Sequence, residues 1–337
     1  MESIQAAMTA RSAIRSWAEG LELIELVRAT HRAGWLEHLR GETTVAELAA
    51  AHSASAEQVS DVLAVLASAG VVRPGEQTGS FRLSPDFDAL VAGASGVDMT
   101  AVLDAVELAR DQVARAVRPS DQEPGIDGAQ ALVLARDWGV RPTPGARQLI
   151  GMLYEALPEF RARLESGGPL LDVGSGVGGA LLTGLTLFDK LHAVGVESVP
   201  EVAAECRRRA ETVGVTDRVD IRTMDARALR DESAFSVCFW AQPFFSQDVR
   251  ADTLAAIFRA LRPNGLLLVQ ELFPPQTAQD KPTARTRLDR LFFTQRHVPF
   301  GLSAEELAAE GRAAGFQDAQ VTDSPLGRLV LMRKPDC

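Results

Sequence analysis

The chain predicts an α/β protein: a doubly wound, mostly parallel seven-stranded sheet whose last strand runs antiparallel, behind a smaller, mostly helical N-terminal domain. Three observations carry this. From Leu170 onward, short apolar runs alternate with segments of helical period, the pattern of a parallel sheet with crossover helices. The run Leu170-Leu171-Asp172-Val173-Gly174-Ser175-Gly176-Val177-Gly178-Gly179 looks like a buried strand ending in a tight loop that opens a helix. Residues 1 to about 120 carry helical spacing with one short β-ribbon. At 337 residues the chain exceeds what one core usually holds, so we divide it into domains 1–120 and 121–337.

In the first part, Leu23, Ile24, Val27 and His31 recur at helical spacing until Gly34-Trp35-Leu36 breaks the pattern. Thr44, with Glu47 three residues on, forms a capping box for a helix over 45–51. Ser53 or Ser55 starts the next helix, whose Val59, Val62, Leu63 and Leu66 face one way up to Gly70. Val71-Val72-Arg73, then Pro74-Gly75, then Phe81-Arg82-Leu83 reads as a hairpin. Helix, turn, helix and hairpin spell a winged helix. Yet from Thr44 to Val72 there is no Lys or Arg, while Glu47, Glu57 and Asp61 are present. A DNA-reading helix needs cations for phosphate and donors for base edges, so we expect no nucleic acid. The expected use of this domain is packing against a copy of itself in a homodimer.

An amphipathic helix over 98–117 follows, then a polar hinge at Arg118–Gly128, Leu132–Trp138, and a helix from Ala146 to about Ser166. Beyond the glycine-rich strand, the second strand is Leu191–Val196, ending in Glu197, and a helix spans 200–213. The third strand is Val219–Arg222, ending near Asp225, and the fourth is Phe235–Trp240. A helix over 248–261 stops at Arg262-Pro263-Asn264-Gly265, and the fifth strand, Leu266–Gln270, ends in Glu271. An irregular segment, Pro274–His297, precedes a helix capped by Ser303 with Glu306. The last two strands, around 319–321 and 329–332, are separated only by Ser324-Pro325-Leu326-Gly327 and must pair as a hairpin.

Composition narrows the function classes. A net charge of −10 argues against nucleic acid or an anionic membrane as the main partner. The apolar runs are of strand length, too short to span a bilayer, and the N-terminus lacks the layout of a signal peptide. Three cysteines, Cys206, Cys238 and Cys337, form no framework and have no metal-ligand spacing, which suits a reducing cytoplasm. Cys206 and Cys238 sit among apolar neighbours, as buried fillers do.

The glycine loop alone is ambiguous. It satisfies G-x-G-x-x-G through Gly174, Gly176 and Gly179, and D-x-G-x-G-x-G through Asp172, Gly174, Gly176 and Gly178. Acids at three consecutive strand ends decide the matter. Asp172 precedes the loop, Glu197 closes the second strand and Asp225 follows the third. In a doubly wound sheet the ligand lies across these ends. Glu197 is placed to accept from two ribose hydroxyls, and Asp225 from an adenine amino group. A pyrophosphate gains nothing from a carboxylate two residues ahead of the first glycine. S-adenosylmethionine has no phosphate and carries a sulfonium and an ammonium, so acids there favour it.

The glycine loop, Glu197, Asp225, the Arg262-Pro263-Asn264-Gly265 turn and the closing hairpin resemble class I S-adenosylmethionine-dependent methyltransferases. With the preceding helical domain, the whole chain is similar to the O-methyltransferase subfamily that dimerises through a winged helix. The resemblance implies a Rossmann-like methyltransferase domain, with S-adenosylmethionine held by Asp172, Gly174, Ser175, Gly176, Gly178, Glu197, Ser198, Asp225, Ala226 and Trp240. It implies methyl transfer to oxygen or carbon of an aromatic or keto-acid-like metabolite, in secondary metabolism.

One position departs from the family. Where these enzymes place a His after strand four to deprotonate a hydroxyl, this chain has Gln242 or Pro243. An amide cannot act as a base. His297 or Glu271 is then the candidate base, with Gln242 orienting the substrate. Gln242, Phe244, Phe245, Phe293 and His297 are the candidate acceptor contacts, beside Trp240, Phe292 and Phe300, with Trp138 and Arg141 weaker. Some relatives that methylate keto acids use iron, but no close His/carboxylate spacing occurs, so no metal is expected. The missing His keeps a cofactor-dependent cyclase open as the alternative. A ligand-responsive DNA regulator and a nicotinamide-dependent reductase are the readings from other classes.

Overall fold

A computed structural model describes residues 2–117, 126–274 and 282–336. The chain forms two compact units, Met1–Ala94 and Ser95–Cys337. The division thus falls earlier than the expected 120/121. The helix over Met99–Arg115 sits with the second unit because its apolar face packs against helices of that unit. Much of the hinge expected at 118–128 lies outside the described residues, and its last residue, Gly128, already starts a helix.

In the first unit, α1 (Glu2–Arg32) and α2 (Trp35–His38) lead to β1 (Thr43–Thr44). Then come α3 (Val45–His52), α4 (Ala56–Ser68), the hairpin of β2 (Val72–Pro74) and β3 (Ser80–Leu83), and α5 (Pro85–Val91). The Thr44/Glu47 capping box forms as expected, and the Ser55 hydroxyl caps α4 by accepting from the Gln58 N–H. The three short strands lie in the order β1-β3-β2, antiparallel throughout. Leu36, Leu48, Val59, Leu63, Leu66 and Leu83 fill the small core. On α1, by contrast, Ile4, Met8, Ile14, Trp17 and Leu21 are exposed.

The second unit opens with four helices: α6 (Met99–Arg115), α7 (Gly128–Trp138), α8 (Pro144–Glu155) and α9 (Pro158–Glu165). The single helix expected over 146–166 is two. Pro158 has no N–H to donate to Tyr154, and it pushes Leu157 out of the helical region, to φ −128°. The sheet follows: β4 (Leu170–Val173), α10 (Gly179–Leu187), β5 (Ala193–Glu197), α11 (Pro200–Val213), β6 (Val219–Thr223) and β7 (Phe235–Trp240). Next come α12 (Arg250–Ala260), β8 (Leu261–Gln270), α13 (Ala284–Gln295), α14 (Ala304–Ala313), β9 (Gln317–Ser324) and β10 (Gly327–Arg333). The segment expected to be irregular over 274–297 therefore contains a helix, capped by the Thr283 hydroxyl.

The strand order is β6-β5-β4-β7-β8-β10-β9, parallel from β6 to β8, with β10 antiparallel to both β8 and β9. The fold class is as the sequence predicts. The chain runs outward from β4 to β6 and then returns to the other side of β4 at β7, so the order reverses beside β4. Apolar side chains alternate along each buried strand into two cores. Leu170, Leu181, Leu185 and Phe160 lie in one, and Leu171, Val173, Leu254 and Ile257 in the other. Cys206 and Cys238 are buried in these layers as free thiols. Burial, with the charge of Asp172 nearby, pushes the Cys206 thiol up to about 12. Among the described residues no helix is long and apolar enough to cross a membrane.

Candidate active site

The reversal beside β4 opens a cavity of about 1160 Å³, lined by residues of the second unit. That exceeds the usual range of roughly 300–1,000 Å³ for a single small-molecule site. Its floor is the loop after β4. Gly174 at φ 74°, Gly176 at 56° and Gly178 at 85° turn the chain through the left-handed region, where a side chain is strained. A Cβ on Gly174 would stand 2.8 Å from the Phe245 ring, whereas one on Gly176 would meet nothing within 4 Å. Gly174, Ser175 and Gly176 line the cavity. Gly178 does not: it precedes α10 and packs so closely that a Cβ would touch Cys206 and Leu182. Its part is the turn.

Two carboxyl groups meet behind this loop. Asp172 is 2% exposed, and its Oδ1 is buried without a hydrogen-bond partner. Burial first, and then the charge of Glu197, raises its pKa to about 7. Glu197, at the end of β5, accepts from the Gly176 N–H at 3.1 Å and from the Val199 N–H at 2.9 Å. Burial raises its pKa as well, against these two hydrogen bonds. It therefore braces the loop across the sheet while lining the cavity. Asp225 also reaches the wall, half exposed, its carboxylate paired with the Arg227 guanidinium at 2.7 Å. That pairing, first, holds its pKa below the usual range. Ser198, Ala226 and Trp240 complete this end.

These residues suit S-adenosylmethionine. An unpartnered buried carboxyl oxygen beside a second raised carboxyl group is an arrangement that a bound cation relieves and a phosphate aggravates. The open space over Gly176 leaves the loop backbone accessible.

Four expected site residues lie off the cavity wall. Gln242 is buried and absent from the cavity wall. Its Nε2 donates to the Gln270 carbonyl at 3.0 Å, and its Oε1 accepts from Arg250 at 2.9 Å. Arg250, itself buried, also donates to the Gln242 carbonyl and to both oxygens of Glu310, and stacks 4.8 Å over Trp240. Gln242 thus ties the segment after β7 to α12 and β8, with its amide oxygen and nitrogen both bonded there. Glu271 is equally committed: it accepts from the Ala304 N–H at the start of α14 and from Arg328 at 2.9 and 3.1 Å. It lies off the cavity wall with both oxygens engaged. Phe293 is buried and packs on Phe273, Phe292 and Phe300, also away from the wall. Arg141 pairs with Asp98 outside the cavity.

Phe244, Phe245 and His297 do line it. His297 is exposed, at φ 56°, and its carbonyl accepts from the Gln247 N–H. Trp138 meets Phe244 edge-on at 5.9 Å. Sequence reasoning missed Gln112 on α6 and Arg296 after α13. Gln112 falls in an amphipathic helix with no motif, and Arg296 next to the more conspicuous His297. Among the described residues no group of three His, Cys, Asp or Glu could hold a metal ion.

Comparison with known proteins places this geometry. Residues 170–265 match a family described as a methyltransferase domain. No curated protein matches the chain by sequence. Among solved structures, the mitomycin 7-O-methyltransferase MmcR is 20% identical, with 98% of this chain and 99% of that one covered and a TM-score of 0.70. Human N-acetylserotonin methyltransferase in complex with S-adenosylmethionine is 16% identical, covering 97% and 98%, TM-score 0.69. CalO1, a methyltransferase in calicheamicin biosynthesis in its S-adenosylhomocysteine-bound form, is 22% identical, covering 97% and 98%, TM-score 0.64. At such identities the likeness is one of fold. Residues 170–265 thus match a methyltransferase-domain family, and the chain as a whole shares the fold of these structures.

Proposed function

We propose that this protein is an S-adenosylmethionine-dependent methyltransferase of a small-molecule acceptor, passing the methyl to oxygen or carbon of an aromatic or keto-acid-like metabolite of secondary metabolism. The observation that carries the reading is the pair Asp172 and Glu197 at the strand ends beside Gly174 and Gly176. The cavity volume leaves room for cofactor and acceptor together. The bound cofactor supplies an electrophilic methyl on a positive sulfur. Asp172 faces the cationic part, Glu197 the ribose hydroxyls and Asp225 the adenine amino group. Trp138, Phe244 and Phe245 hold the acceptor against the loop, so in-line attack rests mainly on positioning.

His297 is the one histidine on the described wall, and we assign it the proton of a hydroxyl acceptor. We also propose a homodimer through the first unit, in which a second copy covers Ile14, Trp17 and Leu21 of α1, exposed at three- and four-residue spacing. A cyclase on the same fold is the second reading, favoured by the locked Gln242 where the family has its base. The test is isothermal titration with S-adenosylmethionine, S-adenosylhomocysteine and NAD, followed by labelled-methyl transfer to phenols and keto acids. Binding of NAD but neither sulfur compound overturns the proposal. Consumption of an acceptor with cofactor bound but no label transferred selects the cyclase.

A further inference from the structure

Charge is distributed unevenly around the cavity. Among the described lining residues the carboxylates are Asp172, Glu197 and Asp225, all at the carboxyl ends of β4, β5 and β6. The cationic side chains, Arg115 and Arg296, belong to a different wall, built from α6 and from the end of α13. Those two helices pack on each other. Gln112, one turn before Arg115 on α6, lines the same wall; it is 8% exposed, and its amide Nε2 is buried with no hydrogen-bond partner. A buried amide donor left unmade costs about 1–3 kcal/mol, and an acceptor from a ligand removes that cost. Arg296 has no carboxylate partner among the described residues. Its guanidinium rests on Phe292 and Phe293, at 5.2 and 5.9 Å from the ring centres. Burial lowers its pKa, the mark of a cation short of counter-charge. The cavity lining also includes the apolar Ile126, Leu134, Trp138 and Leu149.

We infer that the acceptor carries an anionic oxygen group, a carboxylate or an acidic phenolate or enolate, held by the Arg296 guanidinium and the Gln112 amide, with its apolar body against Trp138 and Phe244. The inference rests on the methyltransferase reading for the word acceptor, and it deepens that reading. A guanidinium and an amide donor together recognise an oxyanion, since both only donate to it. The carboxylates at the strand ends repel such a group and so set its orientation: anion toward α6 and α13, the rest of the molecule toward the cofactor loop. A neutral ester or ether of the same shape leaves the guanidinium uncompensated.

The experiment compares matched ligands by calorimetry at pH 8, with and without S-adenosylhomocysteine. 2-Naphthoate and phenylpyruvate are set against their methyl esters, and 4-nitrophenol against 4-nitroanisole, so that the carboxylate and phenolate sources are separated. Expected is binding of at least one anion roughly tenfold tighter than its neutral partner. Arg296→Met removes that preference, Arg296→Lys keeps most of it, and Gln112→Leu weakens the anion about threefold or more. A purely structural role for Arg296 would lower the melting temperature in both variants without changing the ratio. Neutral ligands binding as tightly as the anions, no anion binding at millimolar concentration, or a preference that survives Arg296→Met overturns the inference. Titration of S-adenosylhomocysteine alone separates the two readings. Its failure to bind strikes the methyltransferase proposal, while the anion ratio measured without it still judges this one.

Discussion

Replacing Asp172 by asparagine tests the charge argument most directly. The carboxyl group titrates at about 7 in the folded protein, against the usual 3.8 that it takes in the unfolded chain. Below about pH 4 it is protonated in both states and costs nothing. Between pH 4 and 7 the native state keeps a proton that the unfolded chain has released. Stability therefore falls as pH rises through this window, and the loss is complete above 7. The difference corresponds to about 4 kcal/mol at 1.36 kcal/mol per pKa unit. The D172N substitution removes that loss but leaves a buried amide without a partner, which costs about 1–3 kcal/mol. The variant without ligand should thus be more stable than the parent at pH 8 by roughly 1–3 kcal/mol, and no more stable at pH 4. A cation bound beside the ionised carboxylate reverses the balance. Affinity for S-adenosylmethionine should rise by up to roughly tenfold per pH unit between 5 and 7, with release of a proton, and then level off. D172N should show neither the rise nor the proton. Urea melts across pH and calorimetry in two buffers of different ionisation enthalpy read both quantities. Equal affinity of parent and D172N at pH 8, or a pH-independent parent, refutes the reasoning.

The remaining predictions follow from single contacts. Gly174→Ala forces a left-handed backbone costing about 1–2 kcal/mol and drives the Cβ against Phe245, so stability and cofactor affinity both fall. Gly176→Ala bears only the backbone strain, and its methyl enters open space on the cavity wall; it should lose cofactor affinity with a stability loss of about 1–2 kcal/mol. Gln242→Ala takes an acceptor from the buried Arg250 and should cost about 1–3 kcal/mol with cofactor affinity retained; parental stability with lost turnover would restore a catalytic role. His297→Ala should lower turnover of hydroxyl acceptors about 100-fold or more with little effect on melting, and full activity at its optimum pH would remove His297 from the proton transfer. Trp17→Asp should turn a dimer into a monomer in sedimentation, and an unchanged mass would exclude this face of α1.

Part of the candidate site is legible in the sequence. The acids at 172, 197 and 225 could be placed because strand ends converge in any doubly wound sheet, whatever the details of packing. Gln242 and Glu271 were legible as residues at strand ends but not as roles. What decided them was Arg250 and Arg328, whose guanidinium groups arrive from α12 and β10 and take up the side-chain oxygens. The split at Pro158 was within reach of the sequence, since a proline inside a helix removes a donor and crowds the preceding residue. Phe293 was not: its aromatic partners Phe273 and Phe300 lie on either side of it in sequence and meet only in the folded chain.

By itself the sequence determined the alternation of strands and helices, the glycine turn, the antiparallel final hairpin and the acidic strand ends, because each depends on local period, on φ at a few positions, or on neighbours a few residues apart. Only the tertiary structure decided which polar groups are already satisfied and which are left waiting. That property belongs to pairs of residues brought together from distant segments. It turned Gln242 and Glu271 into struts, and it left Asp172 and Gln112 unpartnered at the edge of the cavity.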